Sequence, residues 1–263
     1  MALLAKPLPR ERSKFVFEFR MRASETATNP SPNSLRSLTS PEGEVKYAAM
    51  FTPPPANCPL CPRLVAFREA NAAQFPQFFN GSVPPFGQLD AQMLVVGLAP
   101  GLKGANASGR PFTGDFAGVV LYQALAKHGF ATGNYDPQQL MNKCDDWFTL
   151  KNIRITNAVR CVPPENKPTP IEEKTCNPFL IKEIASMRNL KIILSLGLTS
   201  HMAVLRTFKL KVKDYKFVHG AVHQLPNGLL LLDSYHTSRY NVSTGRLTQA
   251  MFDAVVEKAG QLL

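Results

Sequence analysis

The chain has 263 residues, of which 44% are apolar and 19% are charged. An apolar fraction of this size supports a packed core and excludes a chain that is disordered throughout. A formal net charge of +11 favours a polyanionic partner, nucleic acid before a membrane surface. The richest apolar run, around residues 229–232, is far shorter than the ~18 residues of a transmembrane helix, so we expect no membrane span.

The chain contains five cysteines, an odd count that cannot pair completely, and no secretory signal precedes them. Both features argue against a disulfide-bonded scaffold and leave free thiols or metal ligands. The missing signals also predict a cytoplasmic protein, associated with the bacterial nucleoid, and we expect a monomer.

The first 45 residues differ in composition from the rest. Residues 23–43 are rich in serine, threonine, proline and asparagine, which is typical of segments that bury too little apolar surface to become ordered. We therefore predict a flexible basic extension over residues 1–45 and a single folded domain over residues 46–263.

Within the domain, strand patterns alternate with helix patterns. Buried strands are predicted at 92–99, 153–159, 191–197 and 228–236, and helices at 115–128, 171–187, 199–208 (with Thr199 as N-cap) and from Thr244 to the C-terminus. This alternation predicts an α/β fold with a mainly parallel, four-stranded sheet. Since ligands bind at the carboxyl ends of such strands, the polar clusters at 97–115, 157–161 and 236–246 mark the expected site.

The cysteines form one short motif and two distant positions. Cys58 and Cys61 form a C-P-L-C motif, whereas Cys161 and Cys176 lie far downstream. Four thiolates would suit a tetrahedral zinc site or an iron–sulfur cluster. The spacing by itself leaves unlinked buried thiols equally open, and Cys144 fits no pattern.

The loop over residues 97–115 is rich in glycine and contains Lys103 and Arg110. Its backbone N–H groups, followed by a helix start, could bind an anion or a carbonyl oxygen. It matches neither a Walker loop nor a dinucleotide fingerprint. Phe112 could stack on a nucleic-acid base or belong to the core, and Asp115 could act chemically or simply cap the helix.

Two further polar groups follow predicted strands. Asn157 could read the hydrogen-bonding edge of a base or satisfy a local turn, and Arg160 follows it. His236 ends the last strand, and a lone histidine is more often structural. The loop after it places Arg239, Tyr240 and Asn241 among small hydroxyl residues, which suits phosphate contacts and a wedge between stacked bases.

Together these segments resemble the uracil-DNA glycosylase superfamily, most closely its family 5, the type B branch. The motifs are GLAPG…GRPFTGD (97–115), TNAVRCVPPENKP (156–168) and H-x-S…N-x-x-T-G-R-L-T (236–248), and the resemblance extends from about Pro53 to the C-terminus. It implies a three-layer αβα fold and a [4Fe–4S] cluster on Cys58, Cys61, Cys161 and Cys176.

The resemblance also implies a role for each matched residue. Asp115 would activate water or steady the sugar cation, and His236 would face the leaving base. Phe112 would stack on the flipped base and Asn157 would bond its edge. The remaining base-binding positions are Gly97, Leu98, Ala99 and Gly101, and the DNA-binding positions are Arg110, Ser238, Arg239, Tyr240, Asn241 and Arg246.

Two positions distinguish this chain within the superfamily. Leu98 stands where the related family 4 enzymes have glutamate, which favours family 5 and places the acid's role on Asp115. Thr237 stands where the family usually has proline, and the loss of proline's fixed φ could loosen the loop.

The implied function is that of a monofunctional DNA glycosylase. It would act on uracil in duplex DNA, at G·U mispairs above all, with hypoxanthine and modified cytosines as further substrates. Two alternatives stay open: an iron–sulfur DNA-binding protein without turnover, and an α/β enzyme that uses free nucleotides or phosphate.

Overall fold

The computed structural model describes residues 51–133, 135–136 and 148–263. The predicted extension over residues 1–45 and Cys144 lie outside the described residues. The helices are α1 (Pro62–Gln74), α2 (Ala105–Ser108), α3 (Phe116–Lys127), α4 (Pro170–Ser186), α5 (Leu198–Thr207), α6 (Arg239–Ser243) and α7 (Gln249–Gln261). The strands are β1 (Met93–Gly97), β2 (Ala131–Gly133), β3 (Phe148–Leu150), β4 (Ile153–Asn157), β5 (Ile192–Leu196), β6 (Val222–Gln224) and β7 (Leu230–Ser234).

The central sheet has five strands in the order β4-β1-β5-β7-β6. The four strands predicted from the sequence are parallel, which confirms the fold class. The fifth, β6, pairs antiparallel with β7 at one edge, so the predicted count of four is one strand short. With only three residues, β6 carries too little periodicity to be detected. Strands β2 and β3 form a separate antiparallel pair.

The sheet is buried on both faces, because helices cover each side. Residues of α3 and α7 pack with one set of strand side chains, including Val95 and Leu194. Residues of α4 and α5 pack with the alternate set, including Leu94 and Ile193. Burying one such side chain contributes about 1.5–3 kcal/mol, which is why these strands are almost wholly apolar. The result is the expected three-layer αβα arrangement.

Two predicted helix starts are wrong. Thr199 lies inside α5, and the N-cap is Gly197, whose φ of 95° turns the chain directly from β5 into the helix. The last helix begins at Gln249 with Thr248 as its N-cap, not at Thr244. The short helix α6 and Gly245, with a φ of 71°, interrupt the chain before it. Helix α1 was not predicted.

No helix in the described part of the chain combines the length and the apolar character that a membrane crossing needs.

The parallel strands bring their carboxyl ends to one edge of the sheet. Gly97 and Asn157 are register partners at that edge, and Leu196 pairs with Ser234 beside them. The three polar clusters therefore follow β1, β4 and β7 at the same edge of the sheet, as the alternation predicted.

Candidate active site

A small pocket opens at the carboxyl edge of the sheet, above the end of β1. It is lined by Ala99, Gly101, Ala105, Phe112, Asp115, Ala117, Asn157 and His236. Four of the sequence-predicted side chains, Phe112, Asp115, Asn157 and His236, meet here.

Gly97 forms the close approach beneath two of these side chains. A Cβ at Gly97 would collide with Asn157 Oδ1 and would lie 2.5 Å from Phe112 Cζ. Only glycine leaves both side chains room at this position. The amide of Asn157 and the ring of Phe112 therefore lie side by side at the inner end of the pocket.

The backbone of Phe112 is held in a conformation that favours glycine. Its φ is 54°, which costs about 1–3 kcal/mol for a non-glycine residue unless neighbours impose it. Tyr135 Oη donates to the Phe112 carbonyl at 3.3 Å, and Gly118 has no side chain to press on that carbonyl. The buried ring lies with its centroid 5.9 Å from that of His236. The surroundings thus hold an aromatic face at the pocket.

Asp115 both caps a helix and faces the pocket. Oδ1 accepts the N–H of Gly118 at 3.1 Å, as an N-cap of α3 should. Oδ2 faces the glycine-rich loop, because a Cβ at Gly101 would lie 3.1 Å from it and one at Gly104 would collide with it. Burial raises the pKa of Asp115, while the backbone N–H groups of Gly118 and Ala117 hold it down. The two interpretations of Asp115 are therefore compatible.

His236 is fixed by its neighbours along the chain. Asn241 Nδ2 donates to the His236 carbonyl at 2.8 Å. Burial lowers the pKa of His236 to about 4. The imidazole is therefore neutral at pH 7 and offers one N–H donor and one acceptor.

Thr237 has a contact that proline could not make. Its side chain is fully buried, and Oγ1 donates to the Ala117 carbonyl in the first turn of α3 at 3.1 Å. The residue after His236 is thereby tied to the helix that Asp115 caps. The hydroxyl supplies a restraint where the family usually has the ring of proline.

A wider cleft adjoins the small pocket and shares five residues with it. The cleft adds Leu98, Lys103, Asn166, Ser238 and Arg239 to its walls, among others. Ser238 is the N-cap of α6 and accepts the N–H of Asn241. The Arg239 guanidinium lies 4.9 Å above the Phe116 ring, so its charge is held at the edge of the cleft.

The other predicted DNA-binding residues lie on the surrounding surface. Tyr240 is 72% exposed. The Arg246 guanidinium lies 4.6 Å above the Tyr235 ring, and that of Arg110 lies 4.5 Å above the Phe86 ring. The structure does not bring Arg110 into the small pocket.

The four predicted cysteine ligands line a single cavity, although they come from three distant parts of the chain. Cys58 and Cys61 precede α1, Cys161 follows β4, and Cys176 lies on α4. All four are free thiols. Burial raises the pKa of Cys61 to about 11, and the nearby Cys176, Cys161 and Cys58 add to the rise. Four convergent thiols are a donor set that suits a structural zinc ion or an iron–sulfur cluster.

Two of the residues that line the cavity carry buried polar atoms without partners in the described part of the chain. Among the described residues, seven buried side-chain nitrogen and oxygen atoms have no hydrogen-bond partner, and three of them belong to Ser82 and Arg160, which line this cavity. Buried polar groups are normally satisfied, so this concentration indicates a missing polar or ionic group. The residues present therefore fit a cluster.

An ion pair links the start of α1 to α4. Arg63, two residues after Cys61, forms a bidentate ion pair with Glu172 on α4. Its Nε donates to Oε1 and its Nη2 to Oε2, each at 2.8 Å. The hydrogen bonds from Arg63 lower the pKa of Glu172. Glu172 also completes a capping box with Thr169. The pair holds the C-P-L-C segment against the helix that carries Cys176.

Sequence reasoning missed the charged residues beneath the site. Glu183 is fully buried on α4, where it accepts from Arg154 Nε at 2.6 Å, from Thr156 Oγ1 at 3.0 Å and from Arg160. Arg68 on α1 is 6% exposed and donates to Cys161 Sγ. Their spacing in the sequence follows ordinary amphipathic patterns, so no local signal would have found them.

Two other histidines, His201 and His223, contact the buried carboxylate of Asp233. His201 Nδ1 lies 2.8 Å from Asp233 Oδ1, and its Nε2 donates to the Tyr215 carbonyl at 2.9 Å. His223 Nε2 lies 3.2 Å from the other oxygen of Asp233. His201, His223 and Asp233 thus form a cluster whose ligand atoms lie within 4.8 Å of one another, close enough to hold a metal ion.

Comparison with known proteins matches the architecture. Residues 84–260 match the family model of the uracil DNA glycosylase superfamily. The chain is similar to the type-5 uracil-DNA glycosylase of Thermus thermophilus, with 41% identity over 78% of this chain and 93% of that protein. The type-5 enzyme of Pyrobaculum aerophilum is 35% identical over 77% of this chain and 88% of its own.

Type-4 relatives are more distant. The type-4 uracil-DNA glycosylase of Archaeoglobus fulgidus is 28% identical over 54% of this chain and 62% of its own. The lower identity to the type-4 enzyme agrees with Leu98, which stands where family 4 enzymes are expected to have glutamate. The chain belongs to the uracil-DNA glycosylase superfamily, in its type-5 branch.

Proposed function

We propose that the protein is a monofunctional uracil-DNA glycosylase of base excision repair, which hydrolyses the bond between uracil and deoxyribose to leave an abasic site. One observation carries the proposal. An aromatic face, an amide, a carboxylate and a neutral imidazole converge on the small pocket, at Phe112, Asn157, Asp115 and His236. A base must leave the duplex to enter such a pocket.

Phe112 and Asn157 would recognise the extruded base. The ring of Phe112 offers a stacking surface, and the Asn157 amide offers both a donor and an acceptor for the Watson–Crick edge of uracil. Because Gly97 leaves room for both groups, the recognition surface exists before the base arrives. Such preorganisation reduces the cost of binding.

Cleavage would send the bonding electron pair from C1′ to the base, which leaves as an anion and makes the sugar cationic. The N–H of neutral His236 and the backbone N–H groups around Leu98 and Gly101 would stabilise that anion. The Asp115 carboxylate would stabilise the sugar cation and orient a water molecule, whose oxygen bonds to C1′ as its proton is released. The matched motifs contain two lysines, Lys103 and Lys167, and neither lines the small pocket, which argues against Schiff-base chemistry and strand cleavage.

A [4Fe–4S] cluster on Cys58, Cys61, Cys161 and Cys176 forms part of the proposal. When bound, it would serve as a structural cross-link between the segment before α1, the end of β4 and α4. Cys161 lies four residues after Asn157, so the cross-link would fix the strand end that carries the base-reading amide. The convergent free thiols and the orphaned polar atoms of the cavity support this assignment.

The DNA duplex would lie over the exposed face around the cleft. Ser238, Arg239 and Arg246 would contact phosphates, and the exposed Tyr240 would act as a wedge in the base stack. Extruding a base costs least at a mispair, so G·U pairs should be preferred. With leucine at position 98, we propose that hypoxanthine and modified cytosines are accepted as well.

A labelled duplex with one central G·U pair tests the function. After incubation and alkali, the purified protein should break the labelled strand at the uracil and leave the G·C twin intact. Intact strands after treatment with iron-loaded protein that still binds the duplex would overturn the proposal in favour of a DNA-binding protein without turnover. A parallel series with hypoxanthine opposite each base tests the wider substrate range.

A further inference from the structure

Two buried arginines lie beside the predicted cysteine ligands: Arg160 lines the cavity, and Arg68 donates to Cys161 and Cys58. Arg68 comes from α1 and is 6% exposed, and Arg160 follows β4 and is 1% exposed. A buried guanidinium is rare unless a counter-charge accompanies it, because desolvation of the ion is costly. Their partners therefore decide what the cavity is built to hold.

Arg68 contacts the cysteine segments directly. Its Nη1 donates to Cys161 Sγ at 3.5 Å and its Nη2 to the Cys58 carbonyl at 3.2 Å. These are its hydrogen bonds within the described part of the chain, and neither partner there is a carboxylate. Its positive charge faces two of the four sulfur-bearing residues without an acidic neighbour.

Arg160 has a carboxylate partner, but it shares that partner. Its Nη2 donates to Glu183, which also binds Arg154 in a buried ion pair. One carboxylate between two arginines leaves an excess of positive charge. The Nε and Nη1 atoms of Arg160 have no hydrogen-bond partner among the described residues, and Arg160 lines the cavity.

Around the cavity, Arg68 and Arg160 thus carry more positive charge than the carboxylates of the described residues neutralise. Four thiolates outweigh the charge of an iron–sulfur core, so an assembled cluster is an anion, and its reduction potential depends on net charge and on hydrogen bonds to the sulfurs. We propose that Arg68 and Arg160 are the counter-charges of the cluster. The N–H···S bond from Arg68 to Cys161 raises the reduction potential of the cluster and slows the loss of the cluster from the protein. This inference rests on the cluster in the proposed function.

The inference predicts a graded series of variants. Arg68→Met removes the charge and the hydrogen bond, so the reduction potential should become more negative. Loss of iron to a chelator should become roughly tenfold faster or more, the factor expected for losing a hydrogen bond to a charged group. Arg68→Lys keeps the charge and should lie between wild type and Arg68→Met. Arg160→Lys keeps a cation for Glu183 but deletes the two unpaired donors, and it should give a smaller shift in the same direction.

The test uses protein purified without oxygen. Iron and sulfide content, the potential in protein-film voltammetry and the rate of bleaching under chelator are measured for each variant. The control is Arg188→Met, the same change at an exposed arginine. Circular dichroism on each sample separates misfolding from cluster loss, and only variants with the wild-type spectrum are compared.

The outcomes separate the two proposals. If wild type contains no iron or sulfide, the cluster assignment in the proposed function is wrong. If wild type contains the cluster but Arg68→Met matches Arg188→Met in potential and in bleaching rate, the counter-charge inference is wrong. A negative shift in Arg68→Met, partly restored in Arg68→Lys, supports it.

Discussion

The small pocket and the cysteine cavity are neighbours but are built by different means. Ala99 lines the pocket and packs against the cysteine cluster, so the two sites are neighbours. The pocket is shaped by glycines and by backbone hydrogen bonds to Asp115 and to the carbonyls of Phe112 and His236. The cavity is shaped by thiols and by buried charges on long side chains from separate helices.

The difference follows from what each region must do. A pocket that stabilises charge during a reaction must hold its polar groups in precise positions, and short connections through the backbone hold them there. A site for an inorganic anion needs compensating charge, which only arginines with long reach can bring from several elements. Substitutions in the pocket should therefore reduce the excision rate, whereas substitutions around the cavity should change cluster retention first.

The largest expected effect is at Asp115. Asp115→Asn keeps an oxygen that can cap α3 but removes the charge, so the excision rate should fall by about 10²–10⁴-fold. DNA affinity and melting temperature should stay near wild type. Single-turnover kinetics and a binding titration measure this, with the α7 variant Asp253→Asn as the control. An excision rate within a few-fold of wild type would show that Asp115 only caps the helix.

Gly104 tests whether the position of the carboxylate matters. A Cβ there collides with Asp115 Oδ2, and displacing a catalytic group by about 1 Å can cost ~10²-fold in rate. We expect Gly104→Ala to lose most of its excision rate while retaining its iron. Gly260→Ala, where a Cβ meets only ordinary contacts of 3.6 Å, is the matched control and should behave as wild type. Equal rates for both variants would contradict the tight placement of Oδ2.

Thr237 should give a smaller effect. Thr237→Val removes the hydrogen bond to the Ala117 carbonyl, which is worth about 0.5–1.5 kcal/mol, or a two- to twelvefold change in rate if it is expressed in the transition state. Thr237→Ser retains the hydroxyl and should recover the wild-type rate. The rate of the chemical step, measured apart from KM, distinguishes positioning from binding. A defect of equal size in both variants would point to packing instead.

The pH profile separates the two proposed catalytic groups. The pKa of Asp115 is raised by burial, and the carboxylate is the active form, so the rate should be lost as pH falls through a pKa above the ordinary aspartate range. The pKa of His236 is lowered to about 4, so the imidazole stays neutral and should add no inflection near pH ~6.5. Single-turnover rates from about pH 5 to about pH 9 test this. An inflection near pH ~6.5 that disappears in His236→Asn would show that the histidine acts as a cation.

Much of the pocket could be predicted from the sequence, because its residues belong to short contiguous segments. Gly97, Phe112 and Asp115 lie within one strand–loop–helix unit, whose buried run, glycines and capping residue are all local signals. Asn157 and His236 end apolar runs of the same kind. Parallel pairing then brings those strand ends to one edge, as the alternation of elements implies.

The cavity illustrates what local patterns miss. The C-P-L-C motif by itself could not distinguish a metal site from buried thiols, because the deciding fact is convergence with Cys161 and Cys176. The arginines were missed for the same reason. Arg68 occupies an ordinary helix position, and only the packing of α1 against the end of β4 brings its guanidinium to Cys161.

The sequence by itself determined the parallel sheet and the edge at which the polar clusters meet, and it singled out the side chains that line the small pocket. These features follow from hydrophobic periodicity and from residue types, which act over a few neighbours. The tertiary structure alone decided that Asp115 uses one oxygen to cap α3 and turns the other toward the glycine loop, and that Thr237 ties His236 to the same helix. It also decided that excess positive charge surrounds the thiols, because burial and hydrogen-bond pairing depend on residues that only the fold brings together.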